Sequence, residues 1–505
     1  MIEIVGVALR AVEGRLLSFR CLSVLLAMVV FGLAGTSSGH AQVERDVFHH
    51  LVSLPPIDAT SPAALYAAYQ HYSLPAQFAF SQNHTKSRRL ILDRLVDVIR
   101  QAVPLGQLRA APPAGAHASD RIISASRSGP DSRRILPTRV PWHRETKNDV
   151  NGTVIDEPGI ATFQFMSLVS TVVRLAVAFP ATDPGVRAAE RTTLAYLARF
   201  LVDDWVVPYW TTVEAWHYQG PFPNMRLRFE ARLDPTRTWP KRYFAGFHDE
   251  DLFYLATAAD LGFVLRRDPE LLGETGVGLR DTLDDINSIG LRVLRARIPE
   301  GEGFVFGAGD WWQHPDDAWA GCITTSFPKE PCPRRDVSED ISHASRWPFW
   351  LESMLGGQLS GSPNEHYLRG LIDRLAWQFG TKVVSWDEHN RPAMRNFLDG
   401  VDGWYQVGRY GPTFGYGPSS LGAAVAYGSW FALARYGDPN VRRFGRALCE
   451  LMRSNDPDDI AFRIRHFGAH RNAPQRASGN GDIDIGGAGS QVDYSCSIAT
   501  ALGAF

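Results

Sequence analysis

AFPATDPGVRAA, residues 178–189, ends one apolar helix and begins the next with almost nothing between them. Asp183 suits an N-cap, and Pro184 suits the first helical position, where its missing N–H costs nothing. The same device recurs in LRRDPELL (265–272) at Asp268-Pro269 and in ARYGDPNVRR (434–443) at Asp438-Pro439, with Ser362-Pro363-Asn364 as a variant. Around these junctions apolar residues recur at helical period, predicting helices at about 61–73, 84–103, 160–179, 185–205, 249–267, 278–298, 338–356, 364–380, 419–436 and 440–454. The connections at the other ends, 206–247, 299–337 and 381–418, are long and aromatic. Tight turns at one end and elaborate loops at the other predict an all-α fold, an α/α toroid of helical hairpins with a cleft at one mouth. An irregular multi-helix bundle is the alternative.

The N-terminus carries Arg10, Arg15 and Arg20 ahead of an apolar run from Cys21 to Ala34, with Gly39 and Ala41 before Gln42. That order predicts a signal peptide over 1–41 and a secreted or periplasmic protein. The run is shorter than the roughly 18–20 residues of a membrane span, so no stable span is expected after cleavage, a retained anchor being the alternative. Export leaves Cys322, Cys332, Cys449 and Cys496 in an oxidising compartment. Pairing Cys322 with Cys332 would close a Pro-rich loop, and Cys449 with Cys496 would tie the tail to the last helix; four cysteines permit three connectivities.

The expected organisation is an N-terminal helical segment at 42–103, an irregular linker or lid rich in Ala, Pro, Ser and Arg at 104–155, and a main helical body at 156–505 ending in a polar tail. The segment 42–103 is also able to complete the same toroid. The formal net charge is −2 with the two signs interspersed, so nothing points to nucleic acid. No CxxC or HExxH motif argues for zinc, Asp482 and Asp484 lack an EF-hand pattern, phosphate-loop and dinucleotide signatures are missing, and no GxSxG nucleophile elbow is present, so no cofactor or metal is expected.

Loop and helix-start clusters carry the candidate chemistry. DVSEDISHASRWPFW (336–350), read as one helix, sets Glu339, His343, Arg346 or Trp347, and Trp350 on one face, with Asp336 as a cap and Asp340 beside it. FHDEDLF (247–253) offers Asp249 and Glu250, although acids in a first turn also serve the helix dipole. GAGDWWQHPDDAW (307–319) places Asp310 beside Trp311 and Trp312, with His314, Asp316 and Asp317 following. DGVDGWYQVGRYGPTFGYGPSS (399–420) holds Asp399, Asp402, Trp404, Tyr405, Arg409, Tyr410 and Tyr416, and PWHRETKND (141–149) adds Trp142, His143 and Asn148. Fourteen tryptophans in an exported chain lean toward sugar-stacking planes, although a large helical core uses them as well.

Short-turned helix pairs, a secretion signal and the residues DWW (310–312), SEDISHASR (338–346) and WYQVGRYG (404–411) together resemble the secreted α/α-toroid carbohydrate-active enzymes, which include glycoside hydrolases and polysaccharide lyases. That resemblance implies a poly- or oligosaccharide substrate, and inversion if the reaction is hydrolysis. Hydrolysis needs a protonated carboxyl and a second carboxylate, for which Asp249 or Glu250, Asp310, and Glu339 or Asp340 stand as candidates. Elimination from a uronate polymer, or C5 epimerisation, would instead use His343, Arg346, Tyr405, Arg409 and Tyr410. Trp311, Trp312, Arg346, Trp404, Tyr405, Arg409, Tyr410 and Tyr416 are the expected substrate-binding set. A non-catalytic glycan-binding envelope protein is the third reading.

Overall fold

The computed structural model describes residues 41–59, 61–101, 144–148, 154–212, 215–217, 220–273, 278–314, 317–332, 334–407, 415–467 and 488–504. It is mostly helical, 65 % helix against 4 % strand, which makes the fold all-α. After a helical stretch at 41–53 come α1 (Pro62–Ser81), α2 (Thr85–Gln101), a hairpin of β1 (Arg144–Asn148) and β2 (Val154–Pro158), α3 (Ile160–Ala178) and α4 (Pro184–Phe200). A π-helical turn, Leu201–Val206, extends α4 toward Val207–Thr211. The hairpin β3 (Ala215–His217) and β4 (Gly220–Phe222) leads into α5 (Met225–Glu230), α6 (Asp249–Arg267) and α7 (Leu279–Arg297). The second half holds α8 (Ile341–Ala344), α9 (Trp347–Gly356), α10 (Pro363–Gln378), the hairpin β5 (Val384–Trp386) and β6 (Pro392–Met394), α11 (Ser429–Ala432), α12 (Pro439–Arg453), α13 (Pro457–His466) and α14 (Ala488–Ala501).

An inner layer runs α1 against α3, α3 against α6, α6 against α9 and α9 against α11; the 3₁₀ turn Gly422–Tyr427 and α14 both return to α1. Outside it, α2 packs on α1, α4 on α3, α7 on α6, α10 on α9, and α12 on the turn Leu433–Tyr436. The inner helices are apolar on most sides because both neighbours bury them. In α3, Phe165, Leu168, Val169 and Val172 are all fully buried, and although α3 is long and apolar enough to cross a membrane, it lies inside the protein. Polar groups in this layer are paired: the Asp260 carboxylate of α6 accepts from Arg174 Nε at 2.6 Å, Ser170 Oγ at 2.8 Å and Thr171 Oγ1 at 3.1 Å, all from α3. Buried Arg88 of α2 likewise grips Glu190 of α4 through Nε at 2.9 Å and Nη2 at 2.6 Å. Residues 62–101 therefore belong to the main core.

The junction residues cap as expected. Asp183 accepts from the Gly185 and Val186 N–H groups at 2.7 and 3.0 Å, and Asp438 from Asn440 and Val441 at 2.8 and 3.0 Å. Ser362 accepts from Glu365 N at 3.2 Å. Asp268-Pro269 differs: it starts only a 3₁₀ turn, Pro269–Leu272, and α7 begins at Leu279. The Asp268 carboxylate instead takes Arg191 of α4, in a 2.5 Å ion pair. A further Asp-Pro start outside the expected set, Asp456-Pro457, caps α13.

Other expectations need correction. Residues 338–356 are not one helix, because Pro348 at the start of α9 lacks the N–H that would continue α8; the chain breaks at Ser345 and Arg346. Residues 419–436 form 3₁₀ turns around the short α11, interrupted by Gly428 at φ 77°, a left-handed conformation that favours glycine. The tail contains α14, packed on α12 and α1, so its end is part of the core. In the expected linker 104–155, residues 104–143 and 149–153 lie outside the described residues, while 144–148 pair with 154–158. The signal peptide and the Asp482/Asp484 pair also lie outside them, apart from Ala41 at the start of the first helical stretch. Both expected disulfides are present, Cys322–Cys332 and Cys449–Cys496, the second joining α12 to α14. Disulfides favour an oxidising environment.

Candidate acid–base site

The site is built where the chain enters α8. Residues 339–341 run alongside 396–398, Leu398 N–H donating to Glu339 O and Ile341 N–H to Asn396 O, each at 2.9 Å. Fully buried Asn396 holds this junction: its amide donates to Gly403 O at 2.9 Å and Gly417 O at 2.7 Å, and its Oδ1 accepts from Ser420 N at 3.0 Å and Leu421 N at 3.1 Å. Asp340, not Asp336, is the N-cap of α8; Asp336 is exposed and pairs with Arg334. Asp340 Oδ1 accepts from Ser342 N at 3.0 Å and His343 N at 3.3 Å, leaving Oδ2 2.6 Å from His343 Nδ1.

Burial alone would lower the His343 imidazole, but the Asp340 carboxylate overrides it and pushes the group up to about 10. The reciprocal attraction, set against burial, holds Asp340 below its ordinary value. At neutral pH the pair is therefore an imidazolium–carboxylate. The His343 side chain is 35 % exposed, so one edge of the ring remains reachable.

Glu339 and Asp317 flank this pair. Burial lifts Glu339 to about 7 despite the His343 charge and a 2.9 Å hydrogen bond from Trp347 Nε1. Burial, with repulsion from Asp340, lifts half-buried Asp317 to about 7 as well. Two carboxyls thus keep protons near neutrality beside one fixed cation. In the sequence Asp317 is only one of several acids in a loop, since nothing local tells that it meets α8.

A second ion pair closes the other side. Arg346 Nη2 donates to the Tyr66 hydroxyl at 2.9 Å, and Arg346 Nη1 pairs with Asp249 at the first turn of α6. Burial would raise the Tyr66 phenol, but Arg346 and His343 together bring it below its usual value. Tyr427, which hydrogen-bonds Gln70 of α1, is a charge neighbour of both Tyr66 and Tyr416. Tyr66 and Gln70 come from a helix with no chemical signal in its residue pattern.

Tyr405 places its ring 6.4 Å from His343 and pairs by backbone with Tyr416, N to O at 2.9 Å in both directions. Trp404 is a structural pillar more than an open plane: its Nε1 donates to Thr324 O at 2.8 Å and Phe327 packs edge-on at 5.4 Å. Its backbone bonds Gly321 and Cys322 at 3.0 Å each, so the disulfide loop is clamped to the site loop. Gly403→Ala is expected to pry this clamp apart, because the added Cβ would sit 2.4 Å from the Gly321 carbonyl carbon. A loss of about 1–3 kcal/mol in unfolding free energy is the expected measurement, typical of a forced overlap in packed structure.

The remaining candidates lie elsewhere or do different work. Asp310 has Arg297, Arg242 and Arg232 as its charged neighbours, the first in a 3.5 Å ion pair, whereas Glu339 has His343 and Asp340. Half-buried Trp311 lies parallel to Tyr243 at 6.4 Å and tilted against His248 at 4.6 Å, while Trp312 carries Arg335 over its ring. Glu250 is half-buried and a charge neighbour of Arg232. Asp399 and Asp402 fasten turns, accepting from Ser338 N at 3.0 Å and Ser419 N at 2.6 Å. Trp347 and Trp350 are fully buried among Phe253, Phe304 and Phe306, so the tryptophans of the 336–350 segment are core. Arg409, Tyr410, Asp316, Trp142 and His143 lie outside the described residues, as does the side chain of Asn148. Among the described residues no group of three or more His, Cys, Asp or Glu side chains is placed to hold a metal ion.

Comparison of the chain with protein-family models, with curated proteins and with solved structures found no match.

Proposed function

We propose that this protein is an exported enzyme that cleaves glycosidic bonds by hydrolysis, its helices closing into an α/α toroid with the acid–base cluster at one mouth. The observation that carries the reading is the placement of Asp317 and Glu339, both held near pH 7, around the Asp340–His343 pair. Asp317, the more exposed, is the acid that protonates the leaving glycosidic oxygen. Glu339, its ionised form steadied by Trp347 Nε1–H, is the carboxylate that activates water. His343 stays cationic across this range, stabilising whichever carboxyl is ionised.

The pH profile follows from these roles. Turnover needs one carboxyl protonated and the other ionised, so it is expected to peak near pH 7 and fall on both sides. Elimination from a uronate, or C5 epimerisation, is the second reading, favoured by the lowered Tyr66 phenol against Arg346. There Tyr66 is the base, and the rate climbs with pH as the phenol ionises. Incubation with neutral and uronate polysaccharides separates the readings. New reducing ends without ultraviolet absorption mean hydrolysis, and absorption from an unsaturated uronate means elimination. Polymers left intact across the panel would overturn both and leave a glycan-binding protein.

A further inference from the structure

Beside the acid–base cluster lies a group of cations that the reaction above does not use. Gly309 N–H donates to Val337 O at 2.8 Å, which brings the 307–313 loop against the strand-like lead into Glu339. At this contact a Cβ on Gly309 would meet the Arg335 backbone carbonyl at 2.2 Å and the Arg242 guanidinium carbon at 3.4 Å, so the Arg242 side chain packs beside the backbone of Arg335. The Arg335 guanidinium lies over the Trp312 ring, 4.6 Å from its centroid, and Arg242 is anchored by its backbone N–H to Gln313 Oε1 at 2.9 Å. Lys241 covers Tyr243 at 5.7 Å on the same run of chain.

These cations are exposed, and Asp310 is a charge neighbour of Arg242 without forming an ion pair with it. Among the described residues no carboxylate pairs with Arg242 or Arg335; the Arg335 guanidinium makes no hydrogen bond, and Arg242 makes only a 3.4 Å contact to Ala308 O. Of the acids close by, Asp310 is buried and already paired with Arg297, and Asp336, next to Arg335 in the chain, pairs with Arg334. A guanidinium stacked on an indole keeps its in-plane donors free, and that planar fork matches a carboxylate. Arg191 and Arg369 show the engaged alternative, held by Asp268 and Glu365.

We infer that Arg242, Arg335 and the Trp312 plane form a subsite for a carboxylate-bearing sugar, next to the site of bond cleavage, so that the substrate is a uronate-containing glycan. The sugar ring lies beside the half-buried Trp312, and its carboxylate takes the unused guanidinium donors of Arg242 or Arg335. This rests on the glycan-cleaving reading for its setting, but its evidence is separate, because it needs binding and not turnover.

The test is affinity electrophoresis of the full chain through gels holding polygalacturonate, dextran sulfate or neutral dextran. Retardation by polygalacturonate is expected, with little by dextran. Arg242→Gln and Arg335→Gln together should weaken it at least about tenfold, as loss of charge-assisted hydrogen bonds does, with unchanged circular dichroism. Equal retardation of the double variant, or dextran retained as well as the uronate polymer, would overturn the subsite. Dextran sulfate retained as tightly as polygalacturonate would overturn the carboxylate assignment. Retardation lost in the variant while no polymer is ever cleaved would keep the subsite and sink the enzyme reading alone.

Discussion

Asp340→Asn is expected to lower turnover of a cleaved glycan by about 10²–10⁴-fold, the range seen when the partner of a catalytic acid–base group is neutralised. The change preserves shape but removes the charge that holds His343 as an imidazolium. The His343 resonance should then titrate far below about 10, since burial, which lowers it, is no longer opposed. That shift, followed by NMR across pH, separates this effect from simple unfolding. The Asn side-chain oxygen can still cap α8, since Asn and Asp rank alike at an N-cap, so stability is expected to change little. A variant with full activity and a strongly lowered His343 would remove the dyad from the mechanism.

The largest stability effect is expected at Asp251. This carboxylate is fully buried, with Arg232 Nη2 at 2.8 Å and Arg228 Nε at 2.9 Å, and its Oδ2 also accepts from His248 N at 3.0 Å to cap α6. Burial pulls the Arg232 guanidinium down to about 9 even with Asp251 present. Asp251→Asn leaves two buried cations without their counter-charge, which costs about 3–5 kcal/mol. Urea unfolding at pH 7 should show the loss as an earlier midpoint. A change below about 1 kcal/mol would mean that solvent reaches the arginines after relaxation.

The helices are legible because the chain marks them locally. Asp183, Asp438 and Ser362 each sit one residue before a proline and cap the helix it opens, and the apolar residues recurring through α3, α6 and α7 are largely buried. Asp268 misleads because its proline fits a 3₁₀ turn as well as a helix, and only the distant Arg191 reveals which partner its carboxylate took. The site is half legible. Asp340, His343 and Arg346 stand together in sequence and stay together in space. Asp249 joins them only through Arg346, while Asp317, Tyr66 and Asn396 have ordinary local settings and acquire their roles by tertiary contact. The break between α8 and α9 comes from Pro348, which marks a helix start and not a position on a continuous helix face.

Tyr66 touches Arg346 across a sequence separation of 280 residues, and its further neighbour Tyr427 comes from beyond α10. The cluster is therefore assembled by contacts between distant parts of the chain and not by any local segment. Until α1 has packed against the 340–346 segment, His343 lacks Tyr66, one of the groups that raise it. Contacts of such long range form late in folding. The proposed chemistry would thus depend on tertiary packing, and a half-folded chain would carry the acids without the surroundings that shift them.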